Sequence, residues 1–422
     1  MPLTYIDIFA GAGGLSEGFM KNGFIPVAHV EMKAEACFTL KTRTCYYYLK
    51  SAGQMEEYNR YLKHEISRDE LYQFTPKVLL DTVIQETMST EGMDNLFKRI
   101  DELMQKQNVR EIDVLVGGPP CQAYSLVGRA RSDSGMEGDP RNYLYQLYAD
   151  VLERYCPKMF VFENVLGLLS AKEGKYLQQM QERFRSAGYE VEYRILTASD
   201  YGVLQNRKRV ILIGQRKSTD SVFVYPEIEK VGVEYEKYKV SDLLSDLCSL
   251  NPGEEKNEYR TETTEYLNRT GIRTEKDILT WHVARPIQER DRMIYRHVIS
   301  AWNEEVPKRL KYTDLPEELC THNNRTAFLD RFKVVANDLH TSQTMVAHIS
   351  KDGHYFIHPD IKQARSITVR EAARIQSFPD NYYFEGGRTA AFLQIGNAVP
   401  PLMAAAIAKA LKKLLEDEKN RY

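Results

Sequence analysis

The chain has 422 residues, 43% hydrophobic and 27% charged, the composition of a globular protein long enough for two domains. A formal net charge of −2 excludes a uniformly basic coat, although charge segregated between faces still permits nucleic-acid binding. No apolar run approaches the ~20 residues that span a bilayer, and no signal-peptide pattern opens the chain, so a cytoplasmic protein without a membrane partner is expected.

Leu3 to Phe9 reads as a strand, followed by a glycine turn and a helix from Leu15 to Asn22. Phe24 to Val30 is a second strand. Residues 37–110 are rich in Lys, Glu, Gln and Tyr and read as a mostly helical insertion. Ile112 to Val116 and Met159 to Glu163 are short, almost wholly apolar runs, as buried parallel strands are. Tyr176 to Ala187 reads as a helix, and Tyr189 to Leu196 and Val210 to Ile213 as further strands. The alternation implies an α/β fold with a doubly wound, mostly parallel sheet, whose ligands bind at the carboxyl ends of the strands. Beyond about Gln215 the pattern is irregular, which predicts a second, smaller mixed domain. A helix is expected from Ala398 to Lys419, with Pro400 and Pro401 in its first turn.

Phe9-Ala10-Gly11-Ala12-Gly13-Gly14 joins a strand to a helix, a setting that brings a nucleoside-bearing ligand close to the backbone. Ser16 stands where a dinucleotide fingerprint has its third glycine, which weakens a pyrophosphate reading. Glu31 closes the second strand at the separation from Gly11 that suits ribose hydroxyls. Gly117-Gly118-Pro119-Pro120-Cys121-Gln122 presents a cysteine on a stiff turn just after a strand, a candidate nucleophile if its thiol is activated and core filler if not. Glu163, at the exit of an apolar strand, needs a partner or a task, and can exchange protons if its pKa is raised. Arg207 and Arg209 alternate with Lys208 before another apolar strand, so at least one can enter the cleft and hold a carboxylate or a base carbonyl. The cysteines at 37, 45, 121, 156, 248 and 320 include no Cys-x-x-Cys pair, which argues against disulfides and zinc. His354 and His358 lie between Gly353 and Pro359 and fit an extended segment better than a metal site, so no metal is expected.

Taken together, the blocks Asp7 to Gly14, Gly117 to Ser125, Glu163-Asn164-Val165, Gln205 to Arg209, Arg370 to Asp380 and Gln394 to Pro401 resemble, in order, those of bacterial-type DNA (cytosine-5-)-methyltransferases. The resemblance implies a Rossmann-like catalytic domain dependent on S-adenosylmethionine over residues 1–217, a target-recognition domain over 218–384, and a segment 385–422 returning to the catalytic domain. It implies that Phe9, Gly11, Gly13, Gly14, Glu31, Pro119 and Asn397 line the cofactor pocket, with Asp81 as the candidate acidic contact to adenine. Cys121 would attack C6 of a flipped-out cytosine, Glu163 would hold N3 and the amine, and Arg209 would hold O2 with support from Arg207. Gln122, Ser125, Asn164 and Thr344 would contact the substrate. Gln122 to Asn142 would be a loop closing over the base, and Thr341 to Met345 and Asn323 to Arg325 would read bases. The family further implies double-stranded DNA as substrate, a restriction-modification role with a possible endonuclease partner, and action as a monomer. A tRNA cytosine methyltransferase and a catalytically silent nucleic-acid binder are the alternatives. A small-molecule methyltransferase would not need the thiol.

Overall fold

The computed structural model describes residues 2–119, 143–217, 223–321, 323, 325 and 329–419. Seven strands form one sheet: β1 (Thr4–Ile8), β2 (Ile25–Glu31), β3 (Val83–Gln85), β4 (Val114–Gly117), β5 (Met159–Asn164), β6 (Tyr189–Thr197) and β7 (Lys208–Arg216), in the order 3-2-1-4-5-7-6. β1 pairs in parallel with β2 and β4, β2 with β3, and β4 with β5. β7 alone runs against its neighbours β5 and β6. Every residue of β1, β4 and β5 is buried, which is why residues 114–116 and 159–162 read as apolar runs, while the polar Asp7 of β1 and Glu163 and Asn164 of β5 are buried as well.

Helices cover both faces. The first core brings Tyr5, Val114, Val161 and Ile213 against α1 (Gly14–Lys21) and the last helix, Pro401–Lys419. On the opposite face lie Met93–Lys106, Leu144–Tyr155 and Lys175–Ser186, meeting Ile8, Leu115, Phe162 and Leu212. Gly18 lets the terminal helix approach α1, because a Cβ there would meet the backbone of Ala404. The sheet is thus doubly wound and mostly parallel, and the end of the chain completes it.

Two expectations need correction. Residues 37–110 are not one helical insertion, because they contain β3 and the covering helix Met93–Lys106. What is added is a set of short helices, Met55–Leu62, Arg68–Gln73 and Lys77–Leu80, glued by rings such as Tyr46 on Tyr58 and Tyr61 on Tyr383. The tail is not a single helix from Ala398: Arg388–Asn397 is already helical, the chain then breaks, and Pro401 opens the final helix.

The irregular region after Phe223 has few long elements, Glu289–Trp302 being the longest helix in it. Its order comes from buried ion pairs. Arg374 grips Asp380 at 2.6 Å and Asp246 at 2.5 Å, and Arg273 shares Asp246. Arg365 and Glu371 form two bonds at 2.7 and 2.8 Å, and Thr368 caps the helix Val369–Ile375 with Glu371 closing the box. A core containing Val240, Met345, Phe378, Tyr382 and Ile395 also includes Ala12 and Leu204, so this region rests directly behind the glycine turn.

Candidate active site

At the carboxyl end of β1 the backbone turns left-handed at Phe9 (φ 58°), Gly11 (φ 54°) and Gly13 (φ 78°). Each glycine of the turn has a different reason. A Cβ on Gly13 would come 2.7 Å from the Leu40 side chain, and one on Gly14 would run into the Val399 carbonyl. A Cβ on Gly11 would meet nothing within 4 Å, so Gly11 faces open space. Glu31 is the acceptor under this turn: its Oε2 takes the Gly11 N–H at 2.9 Å and its Oε1 the Lys33 N–H at 2.8 Å. Each oxygen retains a lone pair for a further donor. Below it Asp7 is fully buried, accepts from the Ser16 hydroxyl at 2.5 Å, and has its other oxygen without a partner. Burial, and less strongly the nearby Glu31, raises its carboxyl to about 7, against the lowering effect of Ser16. Tyr382 closes the turn from behind by donating its hydroxyl to the Ala12 carbonyl.

The second half of the site lies at the ends of β4 and β5. Glu163 ends β5 next to Asn164 and is 9% exposed. Arg209 Nε lies 2.6 Å from Glu163 Oε1, but its N–H is not aligned on the oxygen, so the contact is a charge pair rather than a finished hydrogen bond. Gly118 allows β4 to exit against this carboxylate: a Cβ there would sit 2.6 Å from Glu163 Oε2. Asn164 is 1% exposed; its Oδ1 accepts from Val165 N at 2.9 Å while its Nδ2 is buried without a hydrogen-bond partner. Such a donor can take its partner from a water or a ligand.

An open, backbone-lined space beside the Glu31 carboxylate thus lies at the same end of the sheet as the Glu163–Arg209 charge pair. The family described as C-5 cytosine-specific DNA methylase matches residues 3–66 and 75–413. The chain belongs to that family. It is a DNA cytosine C5 methyltransferase. It is 43% identical to the type II methyltransferase M.Bpa9945I of Bacillus paralicheniformis, with 98% of this chain and 99% of that protein covered. It is 31% identical to the type II methyltransferase M1.HphI of Haemophilus parahaemolyticus, covering 99% and 89%. A crystal structure of a putative DNA modification methyltransferase encoded within a prophage of E. coli has the same fold, with TM-score 0.59, 23% identity and 98% and 99% coverage. The S-adenosylmethionine-dependent Rossmann-like fold follows from these matches and from the sheet order.

The methyltransferase structure brings Phe9, Gly11, Gly13, Gly14 and Glu31 to one end of the sheet and Glu163, Asn164 and Arg209 to the same end. Pro119 is buried just beyond β4. Asn397 is exposed at the end of the helix Arg388–Asn397, two residues before the Val399 carbonyl that packs on Gly14. Asp81 requires a correction. It precedes β3, pairs with Lys77 at 2.5 Å, and lies four residues before Gln85, the residue that registers with Glu31. At ~3.3 Å per residue this puts it roughly 13 Å away along the sheet, at the wrong end. Arg207 is fully buried, with Nη1 on the Met345 carbonyl at 2.6 Å and Nη2 on the Ala398 and Gly396 carbonyls at 2.9 and 3.2 Å. Thr344 donates to the Asn206 carbonyl at 2.5 Å, and Ser342 bridges to Gln205, so Thr341 to Met345 is fastened to the entry of β7. Arg325 pairs with Glu317. Cys121, Gln122, Ser125, the proposed loop Gln122 to Asn142, and Asn324 lie outside the described residues. Gly118, Gln205 and Gln376 stood inside blocks that sequence reading singled out but received no role of their own, whereas Tyr382 was missed and no local pattern distinguishes it.

Proposed function

We propose that this methyltransferase binds S-adenosylmethionine over the glycine turn and modifies a cytosine held between Glu163, Arg209 and Cys121. The left-handed turn, the open space at Gly11 and the lone pairs left on Glu31 fit a nucleoside with ribose hydroxyls. Phe9, Gly11, Gly13, Gly14, Glu31, Pro119 and Asn397 would hold the cofactor, which supplies an electrophilic methyl group on a sulfonium for C5 to take up. The observation that carries the reading is the unaligned Arg209–Glu163 pair pressed against Gly118. Neither group has to break a hydrogen bond to the other before meeting a base, and Arg209 stays anchored through Nη1 on the Lys208 carbonyl at 2.8 Å. Chain connectivity keeps residue 121 within about 11 Å of Gly118.

The residue roles follow from what cytosine requires. C5 is a poor nucleophile until the Cys121 thiolate adds to C6 and converts the ring to an enamine. Glu163 offsets the charge pushed onto the ring by bonding to or protonating N3, and Arg209 holds O2. Asn164 offers its unpaired Nδ2 beside them. Loss of the C5 proton to a base then allows the thiolate to leave. In a duplex the base must be flipped out first, at a cost of a few kcal/mol. Residues 218–384 would read the DNA, with Thr344 at the junction to the catalytic part. The similarity to type II methyltransferases over nearly the whole chain supports a restriction-modification role on double-stranded DNA, and with that role go a cognate endonuclease and a monomeric enzyme as expectations.

The test is transfer of a radiolabelled methyl group to unmethylated duplex DNA and to bulk tRNA, beside Cys121→Ala and Glu163→Gln. Label at cytosine C5 of DNA, abolished by Cys121→Ala, is expected. Label on tRNA alone overturns the DNA reading, and label that survives Cys121→Ala overturns the nucleophile.

A further inference from the structure

We propose that Gln205, Gln376 and Arg207 form a buried positioning brace that couples closure of the cofactor pocket to placement of the base-holding Arg209. This inference rests on the site reading given under Proposed function. All three side chains are fully buried. Gln205 Nε2 donates to Gln376 Oε1 at 2.7 Å and to the Ile375 carbonyl at 3.0 Å, while its Oε1 accepts from Met345 N at 2.8 Å. Gln376 Nε2 in turn donates to the carbonyls of Ile395 at 2.7 Å and Ala398 at 3.1 Å. Each side-chain amide therefore uses both donors and its acceptor. Arg207 adds the carbonyls of Met345, Gly396 and Ala398.

The three targets of the brace are functionally distinct. Ile395, Gly396 and Ala398 surround Asn397, the residue placed at the far wall of the cofactor pocket. Met345 belongs to the segment fastened to Asn206 and Leu204 by Ser342 and Thr344. Arg207 lies two residues before Arg209, at the entry to β7. A buried network in which both glutamine amides are fully satisfied resists distortion, because any displacement leaves polar groups unpaired in a low-dielectric interior. A ligand that pulls the chain around Asn397 into place therefore also fixes Arg209, and by reciprocity a base held by Arg209 favours the closed cofactor pocket. Arg207 is on this view a positioning residue and not a second contact to the base.

The experiment uses the full-length enzyme with S-adenosylmethionine and unmethylated genomic DNA, and measures kcat and both KM values for wild type, Gln376→Ala and Gln376→Glu. Gln376→Ala is expected to raise both KM values together, each by roughly tenfold, with a smaller change in kcat. A rise in only one KM overturns the shared brace. In Gln376→Glu the introduced carboxyl still accepts from Gln205 but can donate to the Ile395 or Ala398 carbonyl only when protonated. Both of its KM values, relative to wild type, are expected to recover as pH falls. Relative KM values that do not follow pH overturn the proposal, and this arm stands even if Gln376→Ala does not fold. If wild type labels no DNA, the underlying site reading fails and the brace with it; if wild type is active and the variants shift one KM alone, only the brace fails.

Discussion

Gly118→Ala isolates the geometry of the base-holding site from the stability of the fold. The added methyl would lie 2.6 Å from Glu163 Oε2, while the next neighbours, the Glu163 carbonyl and Cβ at 3.4 and 3.5 Å, are ordinary contacts. Only the tip of the Glu163 side chain has to give, and it must retreat by about 0.8 Å to reach 3.4 Å. Gly118 does not have a positive φ, so alanine suits its backbone and reduces the freedom of the unfolded chain, worth about 0.4–1 kcal/mol. The net change in stability is therefore expected within about 1 kcal/mol of zero. The same displacement falls on the carboxylate that handles N3. A misplacement of about 1 Å at a reacting group costs on the order of 100-fold, or about 2.7 kcal/mol of barrier.

The assay is kcat/KM for methyl transfer, paired with urea denaturation of the same protein. Gly117→Ala provides the contrast: there a Cβ would run into the Ile8 carbonyl, buried backbone that cannot swing aside, and the expected effect is lost stability. If Gly118→Ala keeps activity within about threefold of wild type while folding normally, the placement of Glu163 is not what limits transfer. If it unfolds like Gly117→Ala, the assumption that the side-chain tip absorbs the clash is wrong.

Gly11→Ala adds a methyl toward open space but at φ 54°, so a stability loss of about 1–2 kcal/mol and a much larger loss of S-adenosylmethionine affinity are expected by calorimetry. Asp7 titrates near 7 when folded against a usual value of 3.8, so the folded state holds the proton more tightly. Its contribution is then full below about pH 4 and falls as pH rises to 7, by on the order of 4 kcal/mol, and Asp7→Asn should flatten that decline in urea melts taken from pH 4 to 8. Arg374→Met leaves Asp246 to Arg273 alone and takes the close cation from Asp380, and should cost about 3–5 kcal/mol, read as a lower denaturation midpoint.

Two strands that carry the site, β4 and β5, were legible because burial on both faces writes an apolar run into them, and β1 because it leads into a glycine turn. β3 was not, since three residues leave no period to detect. Asp81 was misplaced for a related reason. Val78-Leu79-Leu80 is an apolar run that suits a short strand as well as the one-turn helix it forms, and composition cannot choose between them. Arg207 and Arg209 show another limit. Residues two apart on a strand share a face, yet these two part company, because Arg207 N turns back to the Gln205 carbonyl and Arg209 is already in the sheet. The second region was opaque because its order is long-range: Arg374 reaches Asp246 across 128 positions. No local pattern announces such a pair.

Polar satisfaction is distributed unevenly around the site. The glutamine amides at 205 and 376 have every donor and acceptor matched, and they hold backbone that must not move. Asp7 Oδ1, Asn164 Nδ2 and Arg209 Nε are buried without hydrogen bonds, and they sit at or next to the carboxyl ends of β1 and β5 and the entry of β7. An unsatisfied buried polar atom costs about 1–3 kcal/mol, which a fold selected for stability alone would remove. Where such an atom faces the space between Glu163 and the glycine turn, a cofactor or base that supplies the missing partner recovers that cost. The brace and the site then depend on each other: Gln205 and Gln376 tie together the backbone that carries Arg209 and Asn397, so a partner met at one is felt at the other.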